Sequence, residues 1–179
     1  MVREVVSGIS KLEENPILRI LDAGCGTGLS GPLLKPYASR LVGVDLSENM
    51  LNQARARRCF DEFACMNLVD YLERSIELLD VVASVDTLVY FGALDAVFSG
   101  VSRVLKPGGL LLFTLEKADD GAMLGYVLGP HGRYAHSRAY VTSALSEAGL
   151  RLIVLDEQVI RKELGQPVNG WIVTAGKPG

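Results

Sequence analysis

Short apolar runs alternate with helix-like segments through most of this chain, and that alternation leaves few folds open. PILRILDAG, RLVGVDLS, EFACMN, DVVASVD and LLLFTLE read as strands. Between and around them, GLSGPLLKPYA, SENMLNQARARR, LVDYLERSIELL and GALDAVFSGVSRVL read as helices. Strand–helix–strand units need a long crossover, so they build a mostly parallel sheet with helices on both faces. LLLFTLE is almost wholly apolar, as a strand covered on both faces should be. SRAYVTSALSEAGL then reads as a last helix, capped by Ser137 and ended by Gly149. RLIVLDEQVIR and NGWIVTAG follow as two strands, joined by a turn around Gly165 to Asn169. No helix separates them, so they must pair antiparallel. The expected fold is α/β: a doubly wound, mostly parallel seven-stranded sheet with an antiparallel terminal strand.

Local signals refine the elements. Pro32 suits the first turn of its helix, and Pro36 keeps that helix short or bent. Ser47 is placed to cap SENMLNQARARR, whose Met50, Leu51 and Ala54 share one side. KPGG stops the helix that ends at Leu105. The stretch from Lys117 to Arg138, rich in Gly, Tyr and His, reads mostly as loop.

The 179 residues suit a single domain, 1–179. A net charge of −3 without a dense Lys/Arg block argues against a nucleic-acid or anionic-membrane partner. Cys25, Cys59 and Cys65 lack C-x-x-C spacing, and the two histidines lack H-x-x-x-H spacing, so no disulfide framework and no metal site is expected. No apolar run reaches membrane-spanning length, and the opening residues mix Arg3, Glu4 and Ser7 unlike a secretory leader. A cytoplasmic protein in a reducing compartment is expected.

The chemistry begins at ILDAGCGTGLS. In an open α/β sheet, ligands bind beyond the carboxyl ends of the strands, where the strand order switches. Asp22, Gly24, Gly26 and Gly28 fall there, and glycine lets a ligand approach the backbone without a Cβ between. The spacing is G-x-G-x-G. A dinucleotide fingerprint needs a further glycine where Leu29 stands, and no Gly-Lys-Ser/Thr follows as in a phosphate loop. That opposes a nicotinamide-dependent oxidoreductase, though a purely structural turn remains open. Asp45 ends the next strand, 21 residues after Gly24. An acid there can take both hydroxyls of a ribose, or it can complement the dipole of the following helix.

LDAGCGTG, GVDLSENML and LKPGGLLLFT together resemble the class I S-adenosylmethionine-dependent methyltransferases, over Pro16 to about Glu116. The resemblance implies a Rossmann-like fold, S-adenosyl-L-methionine as cofactor and S-adenosyl-L-homocysteine (SAH) as product. The tail is similar to bacterial methyltransferases that often follow tetratricopeptide repeats and, more distantly, to the malonyl-carrier O-methyltransferases of biotin synthesis. Such a repeat region or a second copy of the chain is an expected partner. In these families N-terminal helices often cap the substrate site. Only about fifteen residues precede the first strand here, which reads as a minimal form or a fragment.

By that resemblance, Asp22, Gly24, Cys25 and Gly26 border the methionine part of the cofactor. Asp45 grips the ribose, and Leu46 and Met50 flank the adenine. Asn67 stands where the family has an acid for the adenine amino group, with Asp70 as a competitor. Leu68 offers its N–H to the ring, and Ser84 lies near the methionine end with Val85. Cys25 is a small filler residue, since nothing in the sequence supplies it with a base. The motifs of enzymes that methylate nucleic-acid bases are absent after the fourth strand, so a small-molecule or carrier-bound O- or N-acceptor is expected. Candidates for a base or for acceptor binding are Asp86, Tyr90 and His131, with Arg133, Tyr134 and His136 beside them. A competing reading is a cofactor-binding module without chemistry, serving regulation or assembly.

Overall fold

The computed structural model describes residues 17–119, 121–163 and 165–179. The lead segment discussed above, residues 1–16, lies outside the described residues. The strands are β1 Leu18–Ala23, β2 Ala38–Asp45, β3 Glu62–Cys65, β4 Leu79–Ser84, β5 Leu105–Lys117, β6 Tyr126–Leu128, β7 Tyr134–His136, β8 Arg151–Glu163 and β9 Gln166–Gly176. The helices are α1 Gly31–Leu34, α2 Glu48–Ala56, α3 Leu68–Arg74, α4 Asp95–Val104 and α5 Arg138–Glu147.

β3, β2, β1, β4 and β5 lie side by side in that order, all parallel. β9 runs antiparallel against β5, and β8 antiparallel against β9. These seven strands are the expected sheet. Strand order switches between β1 and β4, so the carboxyl ends of β1 and β4 border a natural crevice.

The strands divide their side chains between two cores, residue by residue. Leu21, Val82, Leu111, Phe113 and Val173 face the layer of α3, α4 and α5. Ile20, Val81, Ala83, Leu112 and Ile172 face the other side, with Leu34 and Tyr37. Phe98 of α4 meets Phe113 with ring centroids 5.3 Å apart. Both faces are covered, which explains the unbroken apolar runs.

Most local signals act as read. Pro36 confines α1 to one turn and a following 3-10 turn, Lys35–Tyr37. Ser47 accepts from Met50 N at 3.4 Å and Ser137 from Tyr140 N at 3.2 Å, capping α2 and α5. Gly149, at φ 73°, closes α5.

Two expectations change. The segment from Lys117 to Arg138 is not mostly loop: β6 and β7 form a hairpin, and β7 pairs parallel with the end of β5 through Glu116 and Lys117. This raises the sheet to nine strands. The turn between β8 and β9 closes at Gly165, and Asn169 already lies within β9 opposite Val159.

Candidate functional site

A cleft of about 760 Å³ opens over the carboxyl ends of β1, β2 and β4. The glycine loop forms its floor. Gly24 N and Cys25 N both donate to Val44 O, at 2.8 and 2.9 Å, which folds the loop back over β2. Asp45 completes that fold. Its Oδ2 accepts from Gly26 N and its Oδ1 from Ser47 N, each at 2.9 Å. One carboxylate thus ties the loop to the start of α2. Each oxygen keeps a second lone pair, and Asp45 lines the cleft.

The glycines have different tasks. Gly24 has φ +78°, and a Cβ there would sit 2.1 Å from the Thr87 side chain. Thr87 Oγ1 donates to Gly24 O at 3.0 Å, locking the loop to the segment after β4. Gly28 packs on Ala54 and Phe60 and is not part of the lining. Among the described residues, Gly26 alone of the three has nothing within 4 Å of its missing Cβ, and it faces the cleft. It is the cradle a ligand can enter.

Asp22 sits beneath the loop, 1% exposed, accepting a hydrogen bond from the Ser30 hydroxyl. Burial pushes its carboxyl from the ordinary 3.8 up to about 7; the Ser30 hydroxyl opposes the rise and the Asp45 charge adds to it. Cys25, also in the lining, is held at about 12 by burial and by the charges of Asp22 and Asp45. A thiol so protonated is no nucleophile.

The far side of the cleft is apolar. Leu46 and Met50 line it while exposed by 70% and 42%. Leu68 lines it from the start of α3. Asn67 does too, and its Oδ1 caps α3 by accepting from Val69 N at 2.8 Å. Asp70 is exposed and outside the lining. Wide exposed apolar side chains beside hydrogen-bonding groups suit a flat heteroaromatic ring.

After β4, Val85, Asp86, Thr87, Tyr90 and Phe91 form the remaining wall. Asp86 takes φ 58°, and its N–H donates to Thr114 Oγ1 at 2.9 Å. Burial raises its pKa, and Arg133 and Arg161 oppose that.

Ser84, His131, Arg133, Tyr134 and His136, all expected at or near the site, stand away from the lining. Ser84 is 1% exposed and its hydroxyl donates to Ala23 O at 2.8 Å, stitching β4 to β1 behind the wall. His131 lies in the β6–β7 turn, with Nδ1 3.9 Å from Glu163 Oε1. His136, read as a loop residue, is fully buried in β7 with Nε2 2.9 Å from Gly92 O. Burial pushes its imidazole pKa down. Thr87, Ser30 and Phe91 were not legible as site residues, because only the folded β4–α4 connection brings Thr87 and Phe91 to the glycine loop.

Comparison with known proteins agrees with this architecture. A family model described as a methyltransferase domain matches residues 21–113, from β1 through β5. The chain belongs to this methyltransferase family. It is a class I S-adenosylmethionine-dependent methyltransferase. The ubiquinone biosynthesis O-methyltransferase of Idiomarina loihiensis is 27% identical over 171 residues, which cover 87% of this chain and 69% of that one. The human mitochondrial ubiquinone biosynthesis O-methyltransferase is 25% identical over 169 residues, covering 86% of this chain but only 46% of its own length. The magnesium protoporphyrin IX methyltransferase of Synechocystis PCC 6803, solved with bound SAH, superposes with a TM-score of 0.76 at 20% identity, covering 98% of this chain and 81% of that one. At that identity the likeness is one of fold. For this methyltransferase the cofactor is S-adenosylmethionine. The open cradle at Gly26, the half-buried Asp45 and the exposed Leu46 and Met50 fit such a nucleoside.

Proposed function

We propose that this chain transfers a methyl group from S-adenosylmethionine to a hydroxyl oxygen of a small or carrier-bound molecule, working as one methyltransferase domain. The observation that carries the cofactor half is Asp45: both carboxylate oxygens are pinned by backbone N–H groups, yet the group remains at the cleft wall. In this reading Asp45 holds the ribose hydroxyls. Leu46, Met50 and Leu68 enclose the adenine, with Asn67 at its edge. Asp22, Gly24, Cys25 and Gly26 border the methionine end. Ser84 acts behind them, by fixing β4 to β1.

When bound, the cofactor supplies an electrophilic methyl carbon on a positively charged sulfur. The protein's share is mainly placement, and good orientation is worth about 7–11 kcal/mol in such reactions. Asp86 takes the acceptor's proton, and Tyr90 and Phe91 give the acceptor an aromatic wall. His131, outside the lining, is no direct participant in this reading. The hydroxyl acceptor is favoured by the two O-methyltransferase relatives and by the carboxylate at the wall. The cysteines are free thiols, in keeping with a reaction in the reducing cytoplasm.

The test is calorimetry with SAH, followed by a mass-spectrometric screen of hydroxyl, amine and carboxylate compounds for the gain of one CH2. Binding of SAH and products confined to methyl ethers are expected. No SAH binding, or products on nitrogen only, would reject the reading.

A further inference from the structure

We propose that Arg133 is the acceptor-binding cation of this site, holding the acceptor's oxygen against Asp86, and that the acceptor is therefore a weakly acidic hydroxyl compound. This rests on the methyl-transfer reading above and adds the acceptor side to it.

The starting observation is an incomplete ion pair. Asp86 Oδ1 is buried and has no hydrogen-bond partner among the described residues. Two guanidinium groups face it, Arg161 Nη1 at 3.6 Å and Arg133 Nη1 at 3.8 Å, both too far for a hydrogen bond. Arg161 Nη1 is itself buried and, among the described residues, unpartnered. Native proteins rarely leave such atoms unsatisfied. The residue that carries this oxygen also has the left-handed backbone, φ 58°, of a position under strain. Oδ1 faces inward toward the two arginines, while the Asp86 side chain, 32% exposed, also lines the cleft.

The two arginines are not equivalent. Arg161 is committed: its Nη2 donates to Glu116 Oε1 at 2.5 Å and to Glu163 Oε2 at 3.0 Å. Among the described residues, Arg133 makes no such bond to a carboxylate. Its Nη2 donates to Tyr90 Oη at 3.3 Å, and its guanidinium lies over the Tyr90 ring, 5.6 Å from the centroid. Tyr90 lines the cleft and is 57% exposed. Arg133 is thus a partly exposed cation on a hairpin, resting on an aromatic ring beside the cleft. Arg161 is a positioning residue that backs Asp86 from behind.

An acceptor oxygen bearing one proton fits here by donating to the exposed part of the Asp86 carboxylate, not to the buried Oδ1, and accepting from Arg133. A carboxylate acceptor has no proton to donate and would add a fourth negative charge to those of Asp86, Glu116 and Glu163. An ammonium acceptor would meet the Arg133 charge head-on. A carboxylate base removes a proton readily only from a hydroxyl that is itself weakly acidic and whose oxyanion is stabilised, and Arg133 supplies that stabilisation. In the step, the acceptor O–H bond breaks and the proton passes to the Asp86 carboxylate. The electron pair stays on the acceptor oxygen, which becomes the nucleophile. Asp86 later returns the proton to solvent. Burial, which raises the proton affinity of Asp86, works in the same direction.

The probe is 4-nitrophenol, whose neutral and ionised forms absorb differently, titrated into the full chain saturated with SAH. The wild-type protein is expected to bind it as the phenolate at a pH below the probe's own ionisation. Arg133→Met should weaken that binding about tenfold or more, the loss of one charged hydrogen bond, and should leave the bound probe neutral. Arg133→Lys should recover part of the phenolate signal. Unchanged SAH affinity in both variants shows that the fold and the cofactor side are intact. The proposal fails if Arg133→Met, or Arg133→Lys should the former not fold, binds the probe with wild-type affinity and spectrum in the one case, or shows no phenolate in the other. It fails too if 4-nitrobenzoate binds more tightly than 4-nitrophenol, or if the wild-type SAH complex does not bind 4-nitrophenol. Each of these failures leaves the methyl-transfer reading standing. Loss of SAH binding by the wild-type chain would instead strike that reading itself.

Discussion

Asp22 is a carboxylic acid buried under the glycine loop, and the charge that acts on it there is that of another acid, Asp45. Its folded pKa of about 7 lies above the ordinary 3.8, so its sign is the reverse of a salt-bridged carboxylate. The protonated form is the one the fold favours. Its contribution to stability is fully present below 3.8 and is lost as pH rises through about 7. The shift corresponds to something on the order of 4 kcal/mol at full burial, an upper bound because loops relax. Asp22→Asn keeps the shape and removes the charge. Denaturant midpoints measured from pH 5 to pH 8 should fall for the wild type and stay flatter for the variant; parallel curves would refute the burial argument. The acid, the glycines and Cys25 were all legible in ILDAGCGTG. Their separate tasks were not, because they depend on partners far away in sequence. Gly24 is bare to admit Thr87, 63 residues on, whereas Gly26 is bare toward the cleft.

At the scale of elements, the β6–β7 hairpin was the part the sequence hid. Each strand is three residues long, too short for periodicity to register. The hairpin exists because of what it leans on. Tyr126 and Tyr134 press against Gly92, where a Cβ would meet each ring at 2.9 Å. Trp171 Nε1 on β9 donates to His136 O at 2.9 Å. Tyr140, on α5 just after the hairpin, reaches α4: its hydroxyl accepts from Leu94 N at 2.7 Å and lies 3.3 Å from Asp95 Oδ2. Leu94 is fully buried and precedes the first turn of α4, so its N–H has no water to turn to. Tyr140→Phe should therefore cost about 1–3 kcal/mol, the penalty for a buried donor left unpaired. Faster hydrogen exchange at the Leu94 amide is the accompanying signature. A midpoint and exchange rate equal to the wild type would show that the helix start finds another acceptor.

Over the whole molecule, the parallel core was legible because five strands with helices between them admit little else, while the site came from strand order. β1 lies between β2 and β4, so the loop after β1 can be gripped by Asp45 from one side and Thr87 from the other. Asp45 consequently has two tasks that a single measurement would confuse. It holds Gly26 N and Ser47 N in the free protein, and in the proposed reading it holds the ribose in the complex. Asp45→Ala should lower the thermal midpoint without ligand, since two backbone donors lose their acceptor. It should also weaken SAH binding by about 1.5–3 kcal/mol, the scale of hydrogen bonds to a charged group. A ligand stabilises a fold by RT ln(1 + [L]/Kd), so the added SAH should raise the variant's midpoint less than the wild type's at equal concentration. Asp45→Asn keeps one acceptor oxygen and should recover part of the apo stability while remaining weak for SAH. An apo loss with an unchanged SAH affinity would make Asp45 a loop clamp alone, and the ribose would have to be held elsewhere in the cleft.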